Sequence, residues 1–347
     1  MPHTRAPLSL RVARRLTKRY PGVVAGGVVG GVVVAFAVSR AARRHRSPAA
    51  GTGQPAKRAS PVGEPPAARL QGVVLAQLQR AITELEGTDQ DAIHEARKAI
   101  KRARAGLRLL RAQLGKDSFE RENAALRQCA LSLAQTRDTQ AMLATLNSLL
   151  ERHPKKLVKA PVLALQAQLY GELASVSSAQ QSRPQALAQL RQAHERLRVW
   201  RPSEAEPKPI EGEFERIYER ARKKLKAARK HPNTGKMHDL RKRVKDLRYS
   251  AEMLSAQGAL LAGEEHYALR LIENSRRVSD LIGEEHDLAL LAERVRAQPK
   301  GERKAILRQI DKRQRRLRTR ALLRAQRIFR RSPRAAKRAL MGGWATR

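Results

Sequence analysis

From about residue 67 to residue 330, apolar residues recur every three to four positions, the period of an amphipathic helix. The spacing predicts helices over Leu70–Leu85, Ala92–Leu114, Phe119–Leu133, Thr139–Arg152, Ala160–Ser175, Gln185–Trp200, Phe214–Lys230, Lys236–Gln257, Glu264–Ile282, Asp287–Ala297 and Glu302–Arg330. Breaks are expected at Gly87, Gly115, His153-Pro154, Pro202 through Pro209, His231-Pro232, Gly258 and Gly283. No stretch alternates with the two-residue period of a strand, so the pattern predicts an all-α helical bundle. Beyond Pro333 the chain is expected to fray.

The N-terminal pattern is different. Residues 1–45 form a basic segment interrupted by Gly22–Val38, about 17 residues without a charge, with glycines at 22, 26 and 30 on one helix face. Residues 22–39 read as a candidate transmembrane anchor; a secretory signal fits the same residues, since a basic region, an apolar run and Ala35-Phe36-Ala37 match its pattern, and a weakly ordered tail is the plain alternative. Cations flank both ends about equally, which leaves orientation open. Residues 46–66 hold Pro48, Pro55, Pro61, Pro65 and Pro66 and read as a linker.

Charge narrows the partner. The chain has 347 residues with 72 Lys+Arg against 32 Asp+Glu, a net charge of +40, which points to a polyanion. Aromatic residues make up only 3%, which disfavours readers of single-stranded nucleic acid that stack bases on flat side chains. The terminal extensions carry much of the charge: 12 basic and 1 acidic residue over 1–66, and 18 and 2 over 300–347. In the body between them the surplus comes from two segments, 94–111 with 7 basic and 1 acidic residue and 216–248 with 14 and 3. The single cysteine, Cys129, lies in an apolar helical stretch and reads as a core thiol, and no cysteine-based metal site is available.

Those two segments contain an internal repeat. Ile93 to Arg111 reads IHEARKAIKRARAGLRLLR and Met237 to Leu254 reads MHDLRKRVKDLRYSAEML, so His94, Arg97, Lys98, Lys101 and Arg104 match His238, Arg241, Lys242, Lys245 and Arg248 at an offset of 144 residues. At 100° per residue these positions span an arc of about 120°, which Arg108 and Arg111 lengthen in the first copy. The opposite arc is apolar, with Ala96, Ile100, Ala103, Leu107 and Leu110 in one helix and Leu240, Val244, Leu247, Ala251 and Leu254 in the other. Each helix is thus expected to bury one side and display a ladder of cations on the other.

This repeat resembles the CHAD family, α-helical domains built as two halves that each carry an H-x-x-R-[RK]-x-x-[KR]-x-x-R helix. The resemblance extends to Arg248-Tyr249-x-x-Glu252, to Leu133 through Asp138 as an L-x-x-x-R-D element, and less faithfully to Gly283-Glu284-Glu285-His286-Asp287. It covers about residues 70–330 and implies two pseudo-symmetric halves, about 67–200 and 210–330. It further implies non-catalytic binding of inorganic polyphosphate along the basic surface of the repeated helices. The expected contacts are His94, Arg97, Lys98, Lys101, Arg104, Arg108, His238, Arg241, Lys242, Lys245 and Arg248, with Arg220, Lys223 and Lys224 as secondary candidates. Physical chemistry agrees: a flexible, densely charged chain without bases needs cations along a groove and no stacking platform. No cofactor, metal or catalytic residue is expected, and Asp138 and Asp287 read as groups that orient an arginine or cap a helix.

Other motifs lead nowhere. Glu211, Glu213 and Glu215 resemble the alternating acids of a triphosphate tunnel but lack barrel strands, and no Gly-rich phosphate loop or zinc-binding histidine pair occurs. The tail cations Lys312, Arg313, Arg315, Arg316, Arg318, Arg320, Arg324, Arg327, Arg330 and Arg331 spread around much of their helix, fitting either a solvated bundle helix or a second polyanion contact. The rival function is a nucleoid-associated protein that binds nucleic acid, partly through residues 331–347. The expected location faces the cytoplasm, at a membrane or on polyphosphate granules.

Overall fold

The computed structural model describes residues 65–345 apart from the short segments 88–90, 134–136, 158–159, 176–181, 203–207, 258 and 299–302; residues 22–39 and nearly all of the Pro-rich linker lie outside the described residues. Among the described residues the chain is all-α, with no strand. Its helices are α1 (Pro66–Glu86), α2 (Ala92–Leu109), α3 (Arg111–Leu114), α4 (Lys116–Ser132), α5 (Arg137–Arg152), α6 (Pro154–Leu157), α7 (Ala160–Ser175), α8 (Arg183–Val199), α9 (Lys208–Lys230), α10 (Thr234–Ala256), α11 (Glu265–Arg296), α12 (Arg303–Ile328) and α13 (Pro333–Ala345). None of the described helices is long and apolar enough to cross a membrane.

Two hydrophobic clusters hold the bundle. The larger joins α1, α2, α4, α8, α9 and α10 to the start of α11, the end of α12 and α13; the smaller joins α5, α6 and α7 to the rest of α11 and α12. The apolar arcs of the two repeat helices supply the larger core as expected: Ala96, Ile100, Ala103, Leu107, Leu240, Val244, Leu247, Ala251 and Leu254 are all fully buried. Gly106 lets α1, α2 and α10 approach closely, because a Cβ there would lie 2.4 Å from Val74 Cγ2 and 3.2 Å from Met253 Sδ. Cys129 is buried in the same core, and its thiol pKa is pushed up to about 12 by burial, as befits a packing residue.

The structure departs from the periodicity at four places. Helix α2 ends at Leu109, and a tight turn at Leu110 starts the short α3, which Gly115 terminates in the left-handed region at φ 77°. Helix α9 begins at Lys208, so Pro209 occupies a first turn where its missing N–H costs nothing, and Glu211, Glu213 and Glu215 lie on a helix. Gly283 does not break the chain but sits inside the continuous helix α11. Finally, the segment after Pro333 does not fray: α13 buries Ala336, Ala339, Leu340 and Met341, and two backbone bonds, Leu261 N to Ala339 O (3.1 Å) and Gly343 N to Ala259 O (3.0 Å), tie it to the α10–α11 loop. Its Lys337 pairs with Glu211 and Glu215 of α9 at 3.3 and 3.6 Å.

Candidate anion-binding surface

The amphipathic arcs of α2 and α10 bring the two repeat helices together in antiparallel register. Arg102 lies 4.0 Å from Glu252 while Arg108 lies 3.3 Å from Asp246, so positions advance on one helix as they retreat on the other. The two stripes therefore meet at the end of α2, whereas His94 and His238 stand apart, separated by roughly 30 Å of helix axis at 1.5 Å per residue.

Cations from three helices converge where the stripes meet. Asp246 joins Arg108 of α2 to Arg243 of α10 (3.1 Å), and the charge of the exposed Arg220 on α9 also bears on Arg108. Burial, opposed by Asp246, lowers the Arg108 pKa; Arg104, which donates from Nε to Asn123 at 3.0 Å, falls to about 10 through burial and the charge of Arg108. Both remain cations at neutral pH. Two turns nearer the start of α10 than Asp246, Asp239 accepts from Lys224 of α9 (2.8 Å) and pairs with Lys242 (2.9 Å), and these two hydrogen bonds pull its pKa down to about 2. Lys223 is exposed beside Lys224. Two carboxylates thus pair with four cations from three helices.

The second repeat begins against α11. The His238 and His286 rings lie with centroids 4.7 Å apart, each with a buried Nδ1 that lacks a hydrogen-bond partner. Burial, then the charges of His286, Lys242 and Arg241, lower the His238 pKa, with Asp239 opposing. Arg241 donates from Nε to Ser279 O at 3.1 Å, and Gly283 supplies the space beside it, since a Cβ at 283 would lie 2.9 Å from Arg241 Nη2. That close approach is why a glycine occupies the middle of α11, where the sequence pattern suggested a break.

Corresponding residues of the first repeat make a similar contact. Arg97 donates from Nη1 to Leu133 O, 3.2 Å away at the end of α4, and Lys98 pairs with Glu95. His94, Lys101 and Lys245 are half-buried, and Arg248 is 13% exposed, paired with Glu252 at 3.2 Å and stacked on Tyr249. The ladder is therefore not wholly displayed to solvent: its arginines Arg97, Arg104 and Arg241 tie the repeat helices to neighbouring elements, Arg248 is held within its own helix, and Arg220, Lys223 and Lys242 supply the exposed charge. Asp239, Asp246, Arg243 and His286 were missed as site residues. The i,i+3 spacing of Asp239 to Lys242 and Arg243 to Asp246 was the available signal.

What this arrangement can do is hold anionic oxygens with point charges from lysine and planar forks from arginine. Among the described residues no three of His, Cys, Asp and Glu are placed to hold a metal ion. Such features define an α-helical domain with a cation-lined surface. The family model for the CHAD domain matches residues 72–296, more than half of the chain, and the chain belongs to that family. No curated relative and no solved structure matches it.

Proposed function

We propose that this protein binds inorganic polyphosphate on the surface where α2, α9 and α10 meet, and that it binds without turnover. The observation that carries the reading is the convergence of Arg104 and Arg108 of α2, Arg220 and Lys224 of α9, and Lys242 and Arg243 of α10 around Asp239 and Asp246. Excess cations on three rigid helices suit a polymer whose repeating unit is charge alone. Two pseudo-symmetric halves are part of this reading: α1, α2 and α4 pack together in the order that α9, α10 and α11 repeat, with Arg97 holding a backbone carbonyl at the end of α4 and Arg241 one within α11. A tether through residues 22–39, placing the domain at the cytoplasmic face of a membrane or at polyphosphate granules, is a further element of the proposal.

The test compares binding of the full chain to long-chain polyphosphate and to duplex DNA of equal phosphate content at matched salt. Tighter binding of polyphosphate is expected. Equal or tighter binding of DNA would replace this reading with a nucleic-acid-binding one. Fractionation of the protein with and without residues 1–45 tests the tether; a full-length protein that stays out of the membrane fraction removes it.

A further inference from the structure

The cations of α12, which sequence alone spreads around the helix, fall into two sets in the structure. The inward set ties α12 to the bundle: Arg313 forks onto Glu284 (2.7 and 3.0 Å), Arg318 onto the fully buried Glu285 (2.8 and 2.6 Å), and Arg324 donates to Asn274 (3.1 Å). The outward set comprises Lys304, Arg308, Lys312, Arg316, Arg320 and Arg327, all exposed and, among the described residues, without an ion-pair partner. At 100° per residue it occupies an arc of about 160° and runs for about 35 Å along the axis. Arg315 lies in the same arc, paired with the one acid there, Asp311, at 2.7 Å. The row lies beyond residue 296, outside the part of the chain matched by the family.

The inward set also ties α12 to the start of the second basic stripe. Arg318 Nη2 donates to Thr234 Oγ1 (2.9 Å) at the first residue of α10, and Glu285, which holds Arg318, immediately precedes His286, the ring partner of His238. The exposed Lys236 follows two residues after Thr234, about half a turn round α10. We propose that α12 is a second docking surface for the same polymer, so that a polyphosphate chain seated on α9 and α10 continues onto the outward face of α12. This rests on the polyphosphate reading above. Polyphosphate is favoured over a duplex because the polymer must turn from one helix to another, which a flexible chain does freely and a stiff rod does not. Joining two surfaces through one ligand makes affinity depend on ligand length, because the second contact is made at high effective concentration.

The experiment removes the outward charges in the full chain, with Lys312→Gln, Arg316→Gln, Arg320→Gln and Arg327→Gln combined, and measures binding of tripolyphosphate, long-chain polyphosphate and duplex DNA at matched salt. Expected is a loss of tenfold or more for the long chain, with a shallower salt dependence, and unchanged binding of tripolyphosphate. An unchanged long-chain affinity overturns the proposal, as does an equal loss for both lengths, which would reflect the general field of the protein. A loss confined to DNA assigns the row to nucleic acid instead. If the unmodified protein binds polyphosphate of neither length, the functional reading itself has failed, and that is known before the variant is measured.

Discussion

Arg241 rests against Gly283, where any added methyl group would come within 2.9 Å of its guanidinium. Gly283→Ala therefore exchanges a helix-interior glycine, which costs up to about 1 kcal/mol relative to alanine, for displacement of a flexible side-chain end. Stability is expected to be unchanged or raised by no more than about 1 kcal/mol, while polyphosphate affinity falls several-fold as Arg241 moves off Ser279 O. Thermal unfolding and a binding isotherm on the same sample check both parts, and an unaltered isotherm would relieve Arg241 of a binding role.

Asp239 pairs with two of the cations of the proposed surface, Lys224 and Lys242. Asp239→Asn frees Lys224 and Lys242, so affinity for polyphosphate is expected to rise and its salt dependence to steepen by about one to two counterions. Because the folded pKa of Asp239, about 2, lies below the ordinary aspartate value of 3.8, its contribution to stability is present above about pH 4 and is lost as pH falls from there towards 2. Acid unfolding of the variant should show a smaller loss over that window.

His238 faces His286, Arg241 and Lys242 with only Asp239 opposing, and its pKa is depressed. The sign is therefore opposite to that of a paired histidine: the unfolded chain binds the proton more readily, and stability without ligand declines as pH falls through about 6.5 towards the folded value. Bound polyanion reverses the preference by favouring the imidazolium, so polyphosphate affinity should increase between pH 8 and pH 5.5. A His238→Gln variant with the same pH profile as the unmodified protein would move the titrating group elsewhere.

Leu340 on α13 is fully buried in the larger core. Leu340→Ala is expected to cost about 2–5 kcal/mol, read from denaturant unfolding. A frayed terminus would give no measurable change.

Much of the fold was legible because burial imposes a period on the sequence. The arcs Ala96 to Leu107 and Leu240 to Leu254 needed only 3.6 residues per turn to be recognised as core, and the matched histidines, arginines and lysines pointed to the family through spacing alone. The places where the reading failed share a physical cause. Gly283 looks like a helix end in one dimension, since glycine is a poor helix former, and only the position of Arg241 from another helix explains why it persists inside one. Pro333 looks like the start of a loose tail, and only the space between α9, α10 and α11 turns the residues after it into core.

Charge followed the same division. Composition determined that this protein is strongly cationic, and periodicity determined which face of α2 and α10 carries the cations. How each cation is held was decided by tertiary structure, because an arginine is fixed in place when another helix puts a carbonyl or carboxylate within reach. Leu133 O claims Arg97, Ser279 O claims Arg241, Asp246 claims Arg108, and Glu285 claims Arg318. Those partners lie 33 to 138 positions away along the chain, a separation that no local pattern encodes.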